Sequence, residues 1–385
     1  LLAQSRDSAR LSDMASLNSA INIYLVDSAG TGFLGTSSVV YVSLPDTASS
    51  TCGDLGLPLL PSGYSYNCVS TTSLVKTDGT GWLPVKLAST SSGTPLGSLP
   101  KDPTNASSSN LYYTYVTDGN GNYELTMLPE SQKYASAAAT DGGIDPAMYE
   151  TGNKLTLSPF AHGMVGYWPM NEGNGTVVYD QSGYGNNGNI NDFNGDANLS
   201  NTIQWQQGNC ISNYCLHFIG TGVASTTGRV IMIGNNTKNS TSSITLMGWI
   251  DDLATPPGWE LYFSLGLDDH LDFNNFRSML STADRSSYSI YPSPTLNISL
   301  STWHFLALTY DGSIAKEYFD GQQVGSLVIN KLLYQESATL TQINGWQLYD
   351  NGQYYTASST LQNNIREYNH ALSATEIQAI YNAKQ

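Results

Sequence analysis

Hydrophobic positions follow helical spacing in the first 26 residues of the chain and lose it near residue 30. Ala and Ser occupy many of the positions between the apolar ones, which keeps such a helix slim. Gly30 and Gly32 then end the pattern. The spacing predicts one helix over about residues 3–27. The apolar positions that carry this prediction are Leu11, Met14, Leu17, Ile21 and Leu25.

After this helix the pattern changes to short runs of β-type residues. Two of them flank the Asn/Gly-rich segment 118–122, which predicts a hairpin. The same segment has the first oxygen positions of an EF-hand-like loop, but Tyr123 stands where that loop needs glycine, so we favour the hairpin. These runs predict a small antiparallel sheet. The candidate strands are 38–43, 81–85, 111–116 and 123–127.

The rest of the chain repeats short β-type runs separated by turns, the pattern of a two-sheet sandwich. Only residues 373–382 have a helical pattern. We therefore expect a mainly β protein with one long N-terminal helix, divided into residues 1–160 and 161–385. The runs in the second part are 165–168, 229–233, 244–250, 260–265 and 303–310.

Charge narrows the range of partners. The 385 residues include 15 Lys and Arg against 31 Asp and Glu, a formal net charge of −16. Nucleic acid and anionic lipid both need clustered basic residues, so both are excluded as expected partners. An acidic surface suits cations such as Ca²⁺.

The four cysteines form two local pairs. Cys52 and Cys68 flank one loop, and Cys210 and Cys215 flank a shorter one. An even number of cysteines in a Ser/Thr/Asn-rich chain predicts two disulfides formed in an oxidising compartment. A metal site is the weaker alternative, because no CxxC pair or neighbouring histidine completes a tetrahedral set.

The sequence offers little for catalysis. Polysaccharide cleavage needs two carboxylates across a cleft, and Glu260 stands alone in its run. The chain has no Gly-x-Ser-x-Gly elbow and no phosphate-binding glycine loop with a lysine. His304 follows Trp303 within a β-type run, where we expect a structural role. We therefore expect a protein that is not an enzyme.

Residues 5–30 resemble the exposed half of a type IV pilin or type II secretion pseudopilin helix. The stretch LPKDP at 99–103, followed by the Tyr-rich hairpin, is similar to the strand region of these proteins. The resemblance covers about residues 1–155 and implies a pilin-like α+β module. It also implies assembly with copies of the chain or with other pilins, and a location on the cell surface after anchoring in the inner membrane. Membrane contact would come only from an apolar segment ahead of Leu1.

The second part resembles the laminin-G-like, or concanavalin A-like, jelly roll. Its opening motifs are GYWPMNEGNG at 166–175 and YDQSGYGNNG at 179–188. Its central strands match STWHFLALTYDG at 301–312 and YFDGQQVG at 318–325, and its last strand matches IREYNHALS at 365–373. The resemblance implies a two-sheet antiparallel sandwich over residues 161–385.

The same resemblance implies one structural Ca²⁺ near the loop after the first strand. The matching positions are Asp180 with Gly183, Asn186 and Asn187, and Asn364 stands where relatives often carry an aspartate. The alternative is a turn satisfied by its own hydrogen bonds. Asp268, Asp269, His270 and Asp272 form a further acidic cluster, which we interpret as a solvated loop.

Binding of carbohydrate or of a cell-surface ligand is the expected use of the jelly roll. Aromatic side chains stack on sugar rings, and each loop aromatic is either a ligand contact or a packing residue. The candidates are Trp205, Trp259, Trp346, Tyr354 and Tyr355.

We therefore predict a type IV pilus-like subunit that displays a jelly-roll binding domain for adhesion or filament assembly. The alternatives are a type II secretion pseudopilin that recognises cargo and a secreted lectin-like protein.

Overall fold

The computed structural model divides the chain into two compact units, an N-terminal unit of residues 1–162 and a C-terminal unit of residues 163–385. The sequence placed this division between residues 160 and 161. The described residues are 1–58, 60, 63–159, 163–182, 184–192, 203–219, 229–233, 242–254, 260–265, 269–273, 277–292, 296, 298–334, 341–343, 345–347, 354–356 and 359–383.

The predicted long helix is present as α1 (Leu2–Asp27). Its buried positions follow the helical spacing as expected, with Met14, Leu17 and Ile21 fully buried. Leu11 and Leu25 are only half-buried, and Tyr24 fills the last buried position instead. Among the described helices none is long and apolar enough to cross a membrane.

The helix packs on a five-stranded sheet with strand order β2-β1-β3-β4-β5. The predicted hairpin is confirmed as the antiparallel pair β3–β4. One part of the prediction was wrong: β1 and β2 run parallel, so the sheet is mixed. The strands are β1 (Val39–Pro45), β2 (Ser65–Val69), β3 (Thr114–Thr117), β4 (Tyr123–Met127) and β5 (Tyr149–Gly152).

One further local prediction in this unit was wrong. Residues 81–85 form no strand, because Trp82 is buried as part of a loop and its indole N–H donates to the carbonyl of Pro100 at 2.9 Å. A short helix that no predicted element covers, α2 (Gln132–Ala138), follows β4. Short apolar runs and Ala/Ser runs carry weak periodic signals, so packing decides their conformation.

A buried arginine ties the start of α1 to the loops beyond the sheet. The Arg10 guanidinium is fully buried. Its Nε donates to Asp102 at 2.5 Å and its Nη2 donates to the other Asp102 oxygen at 2.9 Å. Its Nη1 donates to Asp7 at 2.8 Å and to Glu130 at 2.5 Å. Asp7 in turn accepts the backbone N–H groups of Glu130 and Ser131.

Buried carboxyl groups lie at strands β4 and β5. Glu124 is fully buried and Glu150 is 2 % exposed. Glu124 accepts the N–H groups of Leu157 and Ser158, at 2.7 and 2.9 Å. Asp141 accepts the N–H of Glu150 at 2.6 Å. The ion pairs found among the described residues include none of these three carboxyls.

Burial without a cationic partner changes the protonation of these groups. Desolvation raises the pKa of Asp141 to about 7 and raises the pKa of Glu124. It also raises the pKa of Glu150 well above its usual range, with the Glu124 charge as the next cause. Burial therefore favours the protonated form of Glu124 and of Glu150.

The C-terminal unit is built almost wholly from strands, as the sequence predicted. It ends in one helix, α3 (Ala374–Ala383), at the predicted place. The strands are β6 (Met164–Trp168), β7 (Val177–Val178), β8 (Gly188–Asp192), β9 (Ile203–Gln207), β10 (Tyr214–Phe218), β11 (Arg229–Ile233), β12 (Ile244–Asp252), β13 (Glu260–Leu265), β14 (Asp269–Phe273), β15 (Arg277–Ser281), β16 (Ser287–Ile290), β17 (Trp303–Tyr310), β18 (Ile314–Phe319), β19 (Gln322–Val328), β20 (Thr341–Ile343), β21 (Gly345–Gln347), β22 (Tyr354–Thr356) and β23 (Thr360–Tyr368).

Apart from the separate two-stranded hairpin β21–β22, these strands form two antiparallel sheets, which confirms the sandwich. The first sheet has the order β19-β18-β17-β12-β23-β10-β9, and β6 also pairs with β23. The second has the order β16-β15-β14-β13-β20-β11-β8-β7. One core lies between them, with Leu246, Leu308 and Ile365 from the first sheet and Phe263 and Leu280 from the second.

Helix α3 covers part of the outer face of the first sheet. Tyr381 stacks on Trp249, with ring centroids 5.6 Å apart, and also contacts Phe305. The helix begins with a capping box, because the Ser373 N–H donates to the Glu376 carboxylate and the Glu376 N–H donates to Ser373 Oγ. The large side chains of β12 and β17 are therefore packed on both faces of this sheet.

Both predicted disulfides are confirmed. Cys52 bonds to Cys68 in the N-terminal unit, and Cys210 bonds to Cys215 in the C-terminal unit. The described residues include no free cysteine.

Candidate functional site

The loop that follows β7 is organised by one carboxylate. Asp180 accepts the N–H of Tyr167 at 3.0 Å and the N–H of Asn186 at 2.9 Å. It also accepts the N–H and the hydroxyl of Ser182, both at 2.9 Å. These four donors occupy the lone pairs that a carboxylate offers, so the carboxylate is fully hydrogen-bonded by its own loop and by Tyr167.

The structure brings Asn186 and Asn187 into the same loop as Asp180. The Asn186 side-chain amide donates to the Val165 carbonyl at 2.9 Å. The backbone carbonyl of Asn186 accepts the Trp168 indole N–H at 2.8 Å. Asn187 Oδ1 accepts the Asp180 N–H at 2.9 Å. These oxygens bond to protein donors as the Asp180 carboxylate does.

Asn364 lies on β23 and contacts the side chain of Tyr167, whereas Asp180 contacts the Tyr167 backbone. Its Oδ1 accepts the Tyr167 hydroxyl at 3.2 Å. Its φ is +52°, at an irregularity in the pairing between β12 and β23. Gly183, the remaining predicted ligand, lies outside the described residues.

A calcium cage needs six to eight oxygens directed at one ion, whereas the oxygens of Asp180, Asn186 and Asn187 described above accept hydrogen bonds from protein donors. Within the described part of the chain no group of three or more His, Cys, Asp or Glu residues could hold a metal ion. Binding of Ca²⁺ here stays a prediction, and the hydrogen bonds of the loop account for Asp180 without an ion.

We expect Asp180→Ala to lower the unfolding free energy of the C-terminal unit by about 2 kcal/mol, because buried donors lose a charged acceptor. Asp180→Asn is the matched control, because it removes the negative charge but keeps an amide oxygen that still accepts some of these hydrogen bonds. Urea denaturation with calcium and with a chelator measures both effects. Equal stability of Asp180→Ala and the unchanged chain would contradict the structural role, and a calcium-dependent gain lost in both variants would show that the ion binds.

The candidate ligand aromatics separate into two groups. Trp205 lies on β9, packs against the core and donates its indole N–H to the Gly175 carbonyl at 2.9 Å. This geometry favours packing for Trp205. In the hairpin β21–β22, Trp346 pairs with Tyr355 and Gln347 pairs with Tyr354. The backbone thus sets Trp346 directly opposite Tyr355, whereas Trp259 lies outside the described residues.

A hydrogen-bond network that the sequence did not reveal surrounds the Cys210–Cys215 loop, with Asp251 and Asn363 as its buried members. The Trp303 indole donates to the Asn209 carbonyl at 2.8 Å, and the Asn209 side chain donates to Asp251 at 3.2 Å. Ser212 donates from its N–H and its hydroxyl to Asn363 Oδ1, at 2.9 and 3.0 Å. The loop thus contacts three neighbouring strands, β12, β17 and β23, through hydrogen bonds that no local pattern indicates.

Comparison with protein families gives one match. Residues 224–378 match the family model described as the concanavalin A-like lectin/glucanases superfamily. A comparison with curated proteins finds no match.

Several solved structures are similar in part. The binding domain of botulinum neurotoxin serotype D is 16% identical, with 58% of this chain and 51% of that chain covered and a TM-score of 0.41. The binding domain of Paraclostridial Mosquitocidal Protein 1 is 14% identical, with 57% and 52% covered and a TM-score of 0.41. Trypanosoma rangeli sialidase is 15% identical, with 71% and 48% covered and a TM-score of 0.41. The chain spans about half the length of these structures.

The family match lies wholly within the C-terminal unit, which carries two packed antiparallel sheets. The C-terminal unit therefore has a jelly-roll sandwich fold, and residues 224–378 of it are similar to the concanavalin A-like lectin/glucanases superfamily.

Proposed function

We propose that this protein is a pilin-like filament subunit whose C-terminal jelly roll binds carbohydrate on a cell surface. The observation that carries the binding role is the concanavalin A-like sandwich, whose family description includes lectins. The net charge of −16 favours a neutral ligand over a polyanion. Carbohydrate hydroxyls suit the amide, hydroxyl and aromatic groups that this unit presents.

The filament role rests on α1 and on the resemblance of its sequence to pilins. The helix has 26 residues, about 39 Å. One face is buried on the sheet, and the opposite face exposes small and polar side chains such as Ser8, Ser12 and Ser19. A slim helix with such a face can pack closely against neighbouring copies. Many copies along one filament would then raise the avidity of weak individual sites.

Trp346 and Tyr355 are the proposed sugar contacts, because their strand register places them as neighbours. We expect Trp346→Ala or Tyr355→Ala to weaken glycan binding by about tenfold or more, equivalent to at least about 1.4 kcal/mol. Tyr291→Ala is the control, since Tyr291 is 55 % exposed and lies away from this hairpin in the sequence. A glycan array of the full chain selects the probe, and titration of that probe measures each variant.

Either of two results would count against the binding role: no array signal, or a signal that survives both substitutions. The filament role needs a separate readout, so that one proposal can fail without the other. Gold-labelled antibody to the C-terminal unit should mark surface filaments of the producing cells. Label found only in the culture fluid would favour the secreted lectin instead.

A further inference from the structure

A serine, a histidine and an aspartate contact one another beside strand β17. Ser299 precedes β17, His304 is its second residue, and Asp320 follows β18. His304 Nε2 lies 2.9 Å from Ser299 Oγ, and His304 Nδ1 lies 2.9 Å from Asp320 Oδ2. A carboxylate can only accept, so Nδ1 carries the hydrogen and Nε2 is the acceptor for the serine hydroxyl.

We propose that Ser299, His304 and Asp320 form a nucleophilic triad that gives this protein esterase activity toward short-chain carboxylic esters. Such a triad is recognised by its geometry and by the order of its contacts, not by sequence position. Both contacts fall within the reach expected of a nucleophile, its base and the group that orients the base.

The surroundings hold this arrangement in place. Asp320 and Gly321 form the two-residue turn between β18 and β19, with φ of +48° and +76°, which suits an Asp-Gly hairpin. Asp320 Oδ1 also accepts the Phe305 N–H at 2.9 Å. The His304 ring stacks on Phe319 with centroids 4.7 Å apart, and the residue is 8 % exposed. The base and its orienting carboxylate are therefore fixed before any substrate arrives.

The nucleophile, by contrast, is accessible. Ser299 is exposed, so an acyl group can reach its hydroxyl. The Asp320 carboxylate contacts the same imidazole ring at 2.9 Å, so it lies beside the ring that takes the serine proton. An ester suits this site better than an amide, because its alcohol leaves more readily.

The hydrolysis of an ester at this site needs no reagent other than water. Ser299 Oγ bonds to the ester carbonyl carbon while its proton passes to His304 Nε2. The bond from that carbon to the alcohol oxygen then breaks, and the imidazolium returns the proton to the departing alcohol. Water attacks the acyl-serine with His304 as base, which releases the carboxylic acid and restores the serine hydroxyl.

A second serine–histidine pair in the same chain, Ser359 with His217, serves as a control for this proposal. His217 Nε2 lies 2.9 Å from Ser359 Oγ, the same contact length as in the triad. Burial lowers the pKa of His217, and the ion pairs among the described residues include no carboxylate on this ring. The two serine–histidine pairs therefore differ in the orienting aspartate.

The test uses the full chain with a fluorophosphonate probe and with p-nitrophenyl acetate. Ser299 should be the labelled residue in a peptide digest. Ser299→Ala should abolish labelling at this position and lower the hydrolysis rate by at least about tenfold. Asp320→Asn should lower both readouts similarly, and Asp320→Glu should restore part of them, because Asp320 acts by positioning His304. Ser359→Ala should change neither.

Ser299 is an exposed loop residue, so its substitution leaves the fold intact, as circular dichroism can verify. Labelling of Ser299 no stronger than that of other exposed serines such as Ser313 would overturn the proposal. Equal labelling of Ser299 and Ser359 would also overturn it, because the aspartate would then contribute nothing. Glycan binding by the Ser299→Ala variant should be unchanged, which keeps this inference separate from the proposed function.

Discussion

Replacing Arg10 with methionine is expected to lower the unfolding free energy of the N-terminal unit by about 3–5 kcal/mol. The guanidinium is fully buried and satisfies Asp7, Asp102 and Glu130 at once. Methionine fills much of the volume but leaves Asp7 and Asp102 without their cation in a region closed to water. Removing one partner of a buried ion pair costs far more than the pair itself contributes.

Arg6 provides the matched control for this substitution. It lies one turn earlier on the same helix and pairs with the same Glu130, at 2.6 Å, but its side chain is 36 % exposed. Arg6→Met should therefore cost only about 0–1 kcal/mol. Hydrogen exchange of the α1 amides, followed across a urea series, separates this unit from the C-terminal one. Equal losses in the two variants would show that the Arg10 carboxylates find another source of compensation.

Raising the pH from 5 to 8 is expected to destabilise the N-terminal unit, the reverse of the usual trend for carboxyl groups. Asp141 has a folded pKa of about 7, raised by burial from an ordinary value of 3.8. A group with a raised folded pKa contributes its full stability below the unfolded pKa and loses it as the pH rises through the folded value. For Asp141 alone the whole shift corresponds to about 4 kcal/mol, of which about 3 kcal/mol is lost between pH 5 and pH 8. Glu124 and Glu150 act in the same direction, because burial raises the pKa of each.

Glu130 has the opposite sign and does not mask this effect. Its pKa is lowered, first by Arg6 and then by Arg10, so its contribution is lost only as the pH falls below the ordinary glutamate range. Asp141→Asn keeps the acceptor and cannot ionise, so it should flatten the stability curve between pH 5 and pH 8. Hydrogen exchange of residues 141–158 at several pH values measures this. Stability that increases over the same range would contradict the protonated state of these carboxyls.

Features with a local signal in the sequence were predicted well. Helical spacing located α1, the Asn/Gly-rich turn located the hairpin β3–β4, and the strand motifs located the sandwich. Both disulfides followed from local cysteine pairs. Each of these features depends on residues that are close in sequence or on a motif that spans a whole strand.

Features made by distant residues were missed. Arg10 contacts Asp7 within one turn of α1, but its other partners Asp102 and Glu130 are 92 and 120 residues away in the sequence. Asp180 accepts hydrogen bonds from its own loop and also from Tyr167, 13 residues away.

The amino-acid sequence by itself determined the kinds of element, their order, and the C-terminal sandwich, because periodicity and turn chemistry act over a few residues. Only the tertiary structure decided which polar groups meet. It joins His304 to Asp320, packs Trp205 against the core, and buries Glu124 and Glu150 without a cation. Contacts of about 3 Å depend on strand register and side-chain packing, and these are set by the whole core at once.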